Sequence, residues 1–143
     1  MPVAPEDLEH VRRMFAEWDL AALRAGGLRA HVERFYHEDV VVEAAEGFPV
    51  TTVRPEGHDG YIEWFEANYA PYEDVRWHVE SITAEGERVV AVARVSGRVP
   101  GDPTELEVRL ANVYRLQEGR VVHVLVFLSP ELALEAARAA RRS

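Results

Sequence analysis

The spacing of apolar positions changes about half-way along the chain. In the first half it follows a helical period. Leu8, Val11, Phe15, Trp18 and Ala22 fall on one stripe, which predicts a helix from residue 5 to about residue 25. Pro5 suits its first position, and Glu6 and Asp7 suit the positive end of its dipole. Gly26-Gly27 is expected to end it, and a short second helix carries Leu28, Val32 and Phe35. "DVVVEAA", residues 39 to 45, reads as a strand, and "EGFPVTTVRPEG" as a loop or edge hairpin, because proline interrupts a ladder. In "EGHDGYIEWFEANYAPYE", Tyr61, Ile62, Trp64, Phe65, Asn68 and Tyr69 cover one broad helical face. The period then drops to two. "DVRWHVESI" alternates, and "RVVAVARVSGRV", "ELEVRLANVYRL" and "RVVHVLVFL" follow as longer strands, separated by "AEGE", "PGDP" and "QEG". Ser129-Pro130-Glu131 opens a last Ala-rich helix.

Helices, then a meander of strands, then a helix predict an α+β fold in one domain, residues 1–143, with a curved sheet covered by helices on one face. The last strand is apolar on both sides: Val122, Val124, Val126 and Leu128 against Val121, Leu125 and Phe127. A sheet with one wet face alternates apolar with polar, so two dry faces predict a homodimer through the outer one.

Composition narrows the function. The chain has 143 residues and a formal net charge of -9, which disfavours nucleic acid as a partner. The basic cluster Arg138, Arg141 and Arg142 is too small to reverse this and suits the end of a helix. There is no cysteine, hence no disulfide, thiolate metal site or cysteine nucleophile. There is no lysine either, hence no lysine Schiff base. No glycine-rich phosphate loop or metal-ligand cluster is evident, so no cofactor is expected. His31, His37 and Glu33 lack a further ligand and read as a solvated helix end. With no signal peptide and no membrane-length apolar run, the expected compartment is the cytoplasm.

The order of "VRRMFAEW", "GLRAHVERFYHEDVVVE", "GHDGYIEWF", "NVYRLQEGRVV" and "VFLSPELALEAA" resembles the SnoaL-like branch of the NTF2-like superfamily, over nearly the whole chain. "DLAALRA" departs from it as an apparent lengthening of the first helix. The resemblance implies a cone: a curved mixed sheet wrapped around N-terminal helices, with a pocket inside. The superfamily includes ketosteroid isomerases, polyketide cyclases, limonene-epoxide hydrolases, dehydratases and non-catalytic binding modules, so fold alone does not decide function. The resemblance places the isomerase base near Ala44, its tyrosine donor near Met14 or Phe15, and its acidic donor on Asn112 or Ala111. It places the epoxide-hydrolase acid on Val126, and the Arg-x-Asp pair on Arg94-Val95-Ser96, where the acid is missing. Chemistry by those particular acids is therefore not expected.

Strand alternation then proposes a pocket. Its apolar body would come from Trp18, Phe35, Trp64, Phe65, Trp77, Val124 and Val126. Its polar handles would be Arg94, Ser96, Asn112 and Tyr114, with Val90 and Val92 on the same face as Arg94. Such a set suits a mostly apolar ligand with a carbonyl or carboxylate. Asn112, Tyr114 and Arg94 are the catalytic candidates, against structural roles as a mutually bonded buried pair and a surface ion pair with an acid such as Glu107. Glu43 is a reserve base that only a strand bulge would turn inward. His58-Asp59 reads as a helix start with Asp59 as N-cap, since neighbouring side chains diverge, and His123 as an outward-facing interface residue. Three readings compete: an isomerase, cyclase or dehydratase acting on a carbonyl compound; a non-catalytic binding module; and a structural dimer whose cone Trp18, Trp64 and Tyr69 fill.

Overall fold

The computed structural model describes residues 3–18, 26–44, 55–69 and 71–139. Its elements in chain order are α1 Pro5–Ala16, α2 Leu28–Phe35, β1 Tyr36–Ala44, α3 Gly57–Tyr69, β2 Glu73–Glu85, β3 Arg88–Arg98, β4 Leu106–Gln117, β5 Arg120–Phe127 and α4 Pro130–Ala139. The sheet runs β1-β5-β4-β3-β2. β1 lies parallel to β5, and the other neighbours are antiparallel. The first strand thus closes against the last, and the expected α+β cone is present.

α1 starts where its sequence predicts, with Pro5 in its first turn and Glu6 and Asp7 behind it, but it stops at Ala16. The predicted extension to residue 25, with Ala22 and "DLAALRA", lies outside the described residues from Asp19 on. Gly26 has φ +115, and Gly27 is the N-cap of α2, so the glycine pair leads into the second helix. The loop after β1 lies mostly outside the described residues. Its end returns to the strand, where Val42 N donates to Pro55 O (3.2 Å) and Glu56 bridges Val41. α3 begins at Gly57, which has φ +75, a conformation glycine adopts without strain. Asp59 therefore sits in the first turn, not at the N-cap, and pairs with Arg29 of α2 at 2.8 Å. Pro71 follows the end of α3, where a helix cannot easily continue. Between β4 and β5, Glu118 (φ 55) and Gly119 (φ 77) form a two-residue turn with the positive φ pair a tight hairpin needs.

The sheet has two dry faces. The inner one joins α1, α2 and α3 in the main core, through Val89, Ala91, Val95, Leu110, Tyr114, Val121, Val124 and Val126. The outer one forms a smaller core in which Val90, Val92, Ala111 and Val113 meet Ala133 and Ala137 of α4. Pro130 starts that helix as expected, and Ser129 Oγ accepts from Leu132 N at 3.3 Å. The apolar outer stripe is therefore met by the chain's own last helix and does not by itself require a second subunit. On β5, a register shift opposite Arg115 and Leu116 puts Val121, not the expected Val122, with Val124 and Val126 in the inner core. Among the described residues no helix is long and apolar enough to cross a membrane.

Candidate functional site

Inside the cone a small cavity lies between the helices and the sheet. α3 supplies Tyr61, Trp64, Phe65 and Tyr69; β4 supplies Leu110, Asn112 and Tyr114; β5 supplies Val124 and Val126. Met14, Phe15 and Trp18 come from α1 and the residues after it, Tyr36 from β1 and Trp77 from β2. All three tryptophans of the chain meet here. Their rings interlock: Trp18 crosses Trp77 and Phe65 edge-on, each at 5.4 Å between centroids, and Tyr69 lies 4.6 Å from Phe65. Such arrangements are preferred by aromatic quadrupoles. The remaining space is about 30 Å³. That volume holds a water or two, whereas a cavity that takes up benzene measures about 150 Å³.

The cage is apolar in bulk and polar at a few points. Asn112 Nδ2 donates to Tyr114 Oη at 2.9 Å, and the Tyr36 and Tyr61 hydroxyls share a hydrogen bond of 2.9 Å. Burial pushes the Tyr61 hydroxyl up to about 12, and holds those of Tyr36, Tyr69 and Tyr114 well above the ordinary tyrosine value. All four stay protonated near neutral pH and act as neutral donors or acceptors. Three residues that line the cavity each carry a buried side-chain atom with no hydrogen-bond partner among the described residues: Trp18 Nε1, Trp77 Nε1 and Asn112 Oδ1. A buried polar atom without a partner costs stability, so each of the three gains from a group that supplies the missing bond. The described wall carries no Asp, Glu, His, Lys or Arg.

The structure brings together Asn112, Tyr114, Trp18, Trp64, Phe65, Trp77, Val124 and Val126, as the alternation predicts. It does not bring in Arg94. Directly opposed residues share a face, and Asn112 stands opposite Ala91 on β3. Ala91 and its odd-numbered neighbours therefore face inward, while Val90, Val92 and Arg94 face outward. The assumed phase of β3 was wrong by one residue, which inverts every side chain on it. Arg94 approaches Glu80 (3.5 Å), which Arg109 grips with Nε (3.2 Å) and Nη2 (2.8 Å). The acid is Glu80, at a register shift in β2, rather than Glu107. Ser96 shares the phase of Arg94 and appears only at the rim of a second space described below. Phe35 is buried in the core but is not part of the cavity wall; it packs against the rings of His10 (5.2 Å) and His31 (4.8 Å). Glu43 remains on the outer face despite a bulge earlier in β1, within 3.1 Å of His123 Nε2. The resemblance-derived positions Met14, Phe15, Asn112 and Val126 do line the cavity, without an acid, and Ala44 is exposed.

Tyr36 was missed because the strand was expected to start at residue 39, whereas β1 starts at Tyr36. The exposed Glu38 and the register shift between Tyr36 and Val41 interrupt the alternation of Val40 and Val42, so it does not reach back to Tyr36. His58 is no half of a dyad: its Nε2–H donates to Tyr36 O at 2.9 Å and ties α3 to β1. His10 Nε2–H does the same for Phe35 O at 2.9 Å. His31 is buried beside Trp18 and Phe35, and burial lowers its pKa from 6.5 to about 4. Among the described residues no three His, Asp or Glu side chains are grouped to hold a metal.

A second space of about 270 Å³ opens at the mouth of the cone, between the end of α3, Pro71-Tyr72 and the adjoining ends of β2, β3 and β4. Leu106, Val108 and Leu128 line it and are exposed at 48%, 41% and 41%, unusually high for large apolar side chains. Tyr69 and Leu110 belong to both spaces and form the partition between them.

An open α+β cone with an internal pocket and no closed barrel defines an NTF2-like protein. The SnoaL-like domain family model matches residues 11–124, and the chain belongs to that family. The chain matches no curated protein. Among solved structures, a protein from Jannaschia sp. CCS1 named as a SnoaL-like polyketide cyclase shares 21% identity, with a TM-score of 0.71 over 98% of this chain and 96% of its own. An NTF2-like protein of unknown function from Burkholderia pseudomallei shares 15% identity, with a TM-score of 0.68 over 92% and 97%. A protein of ketosteroid isomerase-like fold from Catenulispora acidiphila, solved in complex with trimethylamine, shares 17% identity, with a TM-score of 0.62 over 88% and 92%. At these identities the likeness concerns the fold.

Proposed function

We propose that this protein binds a small, neutral, mostly apolar carbonyl compound in the cone. The supporting observation is that Trp18, Trp77 and Asn112, which line one aromatic cavity, carry buried Nε1, Nε1 and Oδ1 atoms with no partner among the described residues. Two N–H donors suit a carbonyl oxygen, and the amide oxygen suits a hydroxyl, enol or N–H of the same ligand. A carboxylate fits less well, because Arg94, the cation expected to hold it, lies on the outer face. The cavity is too small for a ring compound while the aromatic side chains stay in place, so binding displaces at least one of them. Donors fixed around a carbonyl oxygen also stabilise negative charge that develops there, which is the contribution such a site makes to cyclase or isomerase chemistry. The described wall offers no carboxylate or imidazole base, and this favours binding over proton abstraction by the protein.

Tryptophan emission reports on the site directly, since Trp18, Trp64 and Trp77 all line it. Titration with matched cyclic ketones, carboxylates and hydrocarbons is expected to rank the ketones first. Trp18→Phe and Trp77→Phe are each expected to weaken ketone binding by roughly three- to tenfold, the worth of one net hydrogen bond. Tighter binding of the carboxylates, or ketone binding indifferent to both substitutions, would refute the proposal.

A further inference from the structure

The inner cage has polar groups but almost no room; the groove at the mouth has room and an apolar floor, with Asn68, Ser96 and Glu107 also among its lining residues. This asymmetry, together with their shared wall, carries a more specific assignment, which rests on the carbonyl-binding reading above. We infer that the two spaces are the head and tail subsites of one elongated ligand: a neutral carbonyl head in the cage, and an unbranched or ring-bearing apolar tail in the groove.

The volumes argue for it first. About 30 Å³ in the cage cannot enclose a molecule large enough to bury useful apolar area, while the groove of about 270 Å³ approaches the smallest ordinary ligand pockets, about 300 Å³. Continuity argues second. Among the described residues, Tyr69 and Leu110 are the lining residues common to the two spaces, so a ligand joining them passes one aromatic side chain and one leucine. Register argues third. Leu106, Val108, Leu110, Asn112 and Tyr114 alternate along β4 and so point to the same side of the sheet. One strand thus carries, in order, an exposed apolar floor, the partition and the polar head contacts. Val95 and Gly97 continue that floor on β3, opposite Val108 and Leu106. A Cβ at Gly97 would come within 3.2 Å of Val75 Cγ2, so a larger residue there would press on the groove wall.

The test is a series of 2-alkanones from hexanone to undecanone, titrated by tryptophan emission and calorimetry against the wild type, Val108→Glu, Trp77→Phe and Leu132→Glu. Val108 is 41% exposed, so its substitution leaves the core intact; Leu132, 54% exposed on α4 away from the groove, controls for added charge. In the wild type, Kd is expected to fall roughly fourfold per added methylene until the groove is full, then level off. Val108→Glu is expected to flatten that slope, Trp77→Phe to weaken every member by one common factor, and Leu132→Glu to change neither. If all members bind equally but Trp77→Phe still weakens them, the groove assignment fails and the carbonyl reading stands. A slope that survives Val108→Glu also overturns the groove. If Val108→Glu instead converts a dimer to a monomer with ligand affinity unchanged, the groove is a contact between copies and the assignment is wrong. If no alkanone binds, the carbonyl reading itself fails and takes the tail subsite with it.

Discussion

Replacing Tyr114 by Phe removes one hydroxyl from the middle of the cone and nothing else. That hydroxyl accepts the Asn112 amide at 2.9 Å, and Tyr114 is only 2% exposed. Asn112 Oδ1 already has no partner among the described residues, so Tyr114→Phe leaves both ends of the amide unmatched. The expected loss is about 1–3 kcal/mol, the cost of stranding a buried polar group. Asn112→Leu strands the Tyr114 hydroxyl in turn, but it removes the orphan carbonyl oxygen and adds apolar surface. Its expected loss is smaller, about 0–2 kcal/mol. The double variant has neither partner and leaves nothing stranded. Its loss should therefore fall short of the sum of the single losses by about 1–2 kcal/mol, a range typical of directly bonded pairs. Urea unfolding followed by far-ultraviolet circular dichroism measures the cycle, with a common m-value as the check that only stability has changed. Tryptophan emission is the wrong probe here, because all three indoles sit around the altered groups. Additivity within about 0.5 kcal/mol would mean the pair is not coupled, and the reasoning that treats the cage as a dry polar kernel would be refuted.

Three other outcomes follow from the same structure. His31 is buried and its pKa falls from 6.5 to about 4, so the unfolded chain binds the extra proton between those values; stability is full above pH 6.5 and declines as pH falls toward 4, by up to about 3 kcal/mol. Denaturant melts between pH 7 and 5 should show that slope, and His31→Phe should flatten it; an unchanged slope refutes the assignment. Ala137 of α4 is fully buried against the sheet, so Ala137→Glu should cost about 3 kcal/mol or more, release the helix and cause concentration-dependent self-association in light scattering, through Val90, Val92, Ala111 and Val113. Arg94→Ala should leave ketone affinity within twofold and cost no more than about 1 kcal/mol of stability, since its contact with Glu80 is half-exposed; a large loss of affinity would return Arg94 to the pocket.

Most of the architecture was legible because it rests on local periodicity. Pro5 and Pro130 located the starts of the first and last helices, and the change from a helical period to alternation located the strands to within a few residues, whereas α1 stops at Ala16, short of its expected end. The cage aromatics were legible for the same reason: Trp64 and Phe65 lie on the apolar face of α3, and Trp77 on the apolar side of β2. What alternation cannot supply is absolute phase. β3 is apolar on both sides, so nothing in "VVAVARVSG" distinguishes inward from outward. Only the pairing of Ala91 with Asn112, set across the strands, decides it, and Arg94 was misplaced by that missing constraint. Bulges add the same uncertainty, as at Glu80 in β2 and Val122 in β5. The groove was invisible because it depends on how far the strands run past the end of α3.

The parallel pairing of β1 with β5 also sets a schedule for synthesis. Glu43 and His123, which touch across these strands, are 80 residues apart. At about 5–20 residues per second, a ribosome needs roughly 4–16 s to bridge that interval. During this time β1 and the apolar faces of the first three helices have left, or are leaving, the tunnel without the strand that completes their sheet. The nascent chain therefore spends seconds with an unpaired edge and uncovered aromatic side chains, the period in which a chaperone has most to offer it. The cone cannot close until β5 has left the tunnel.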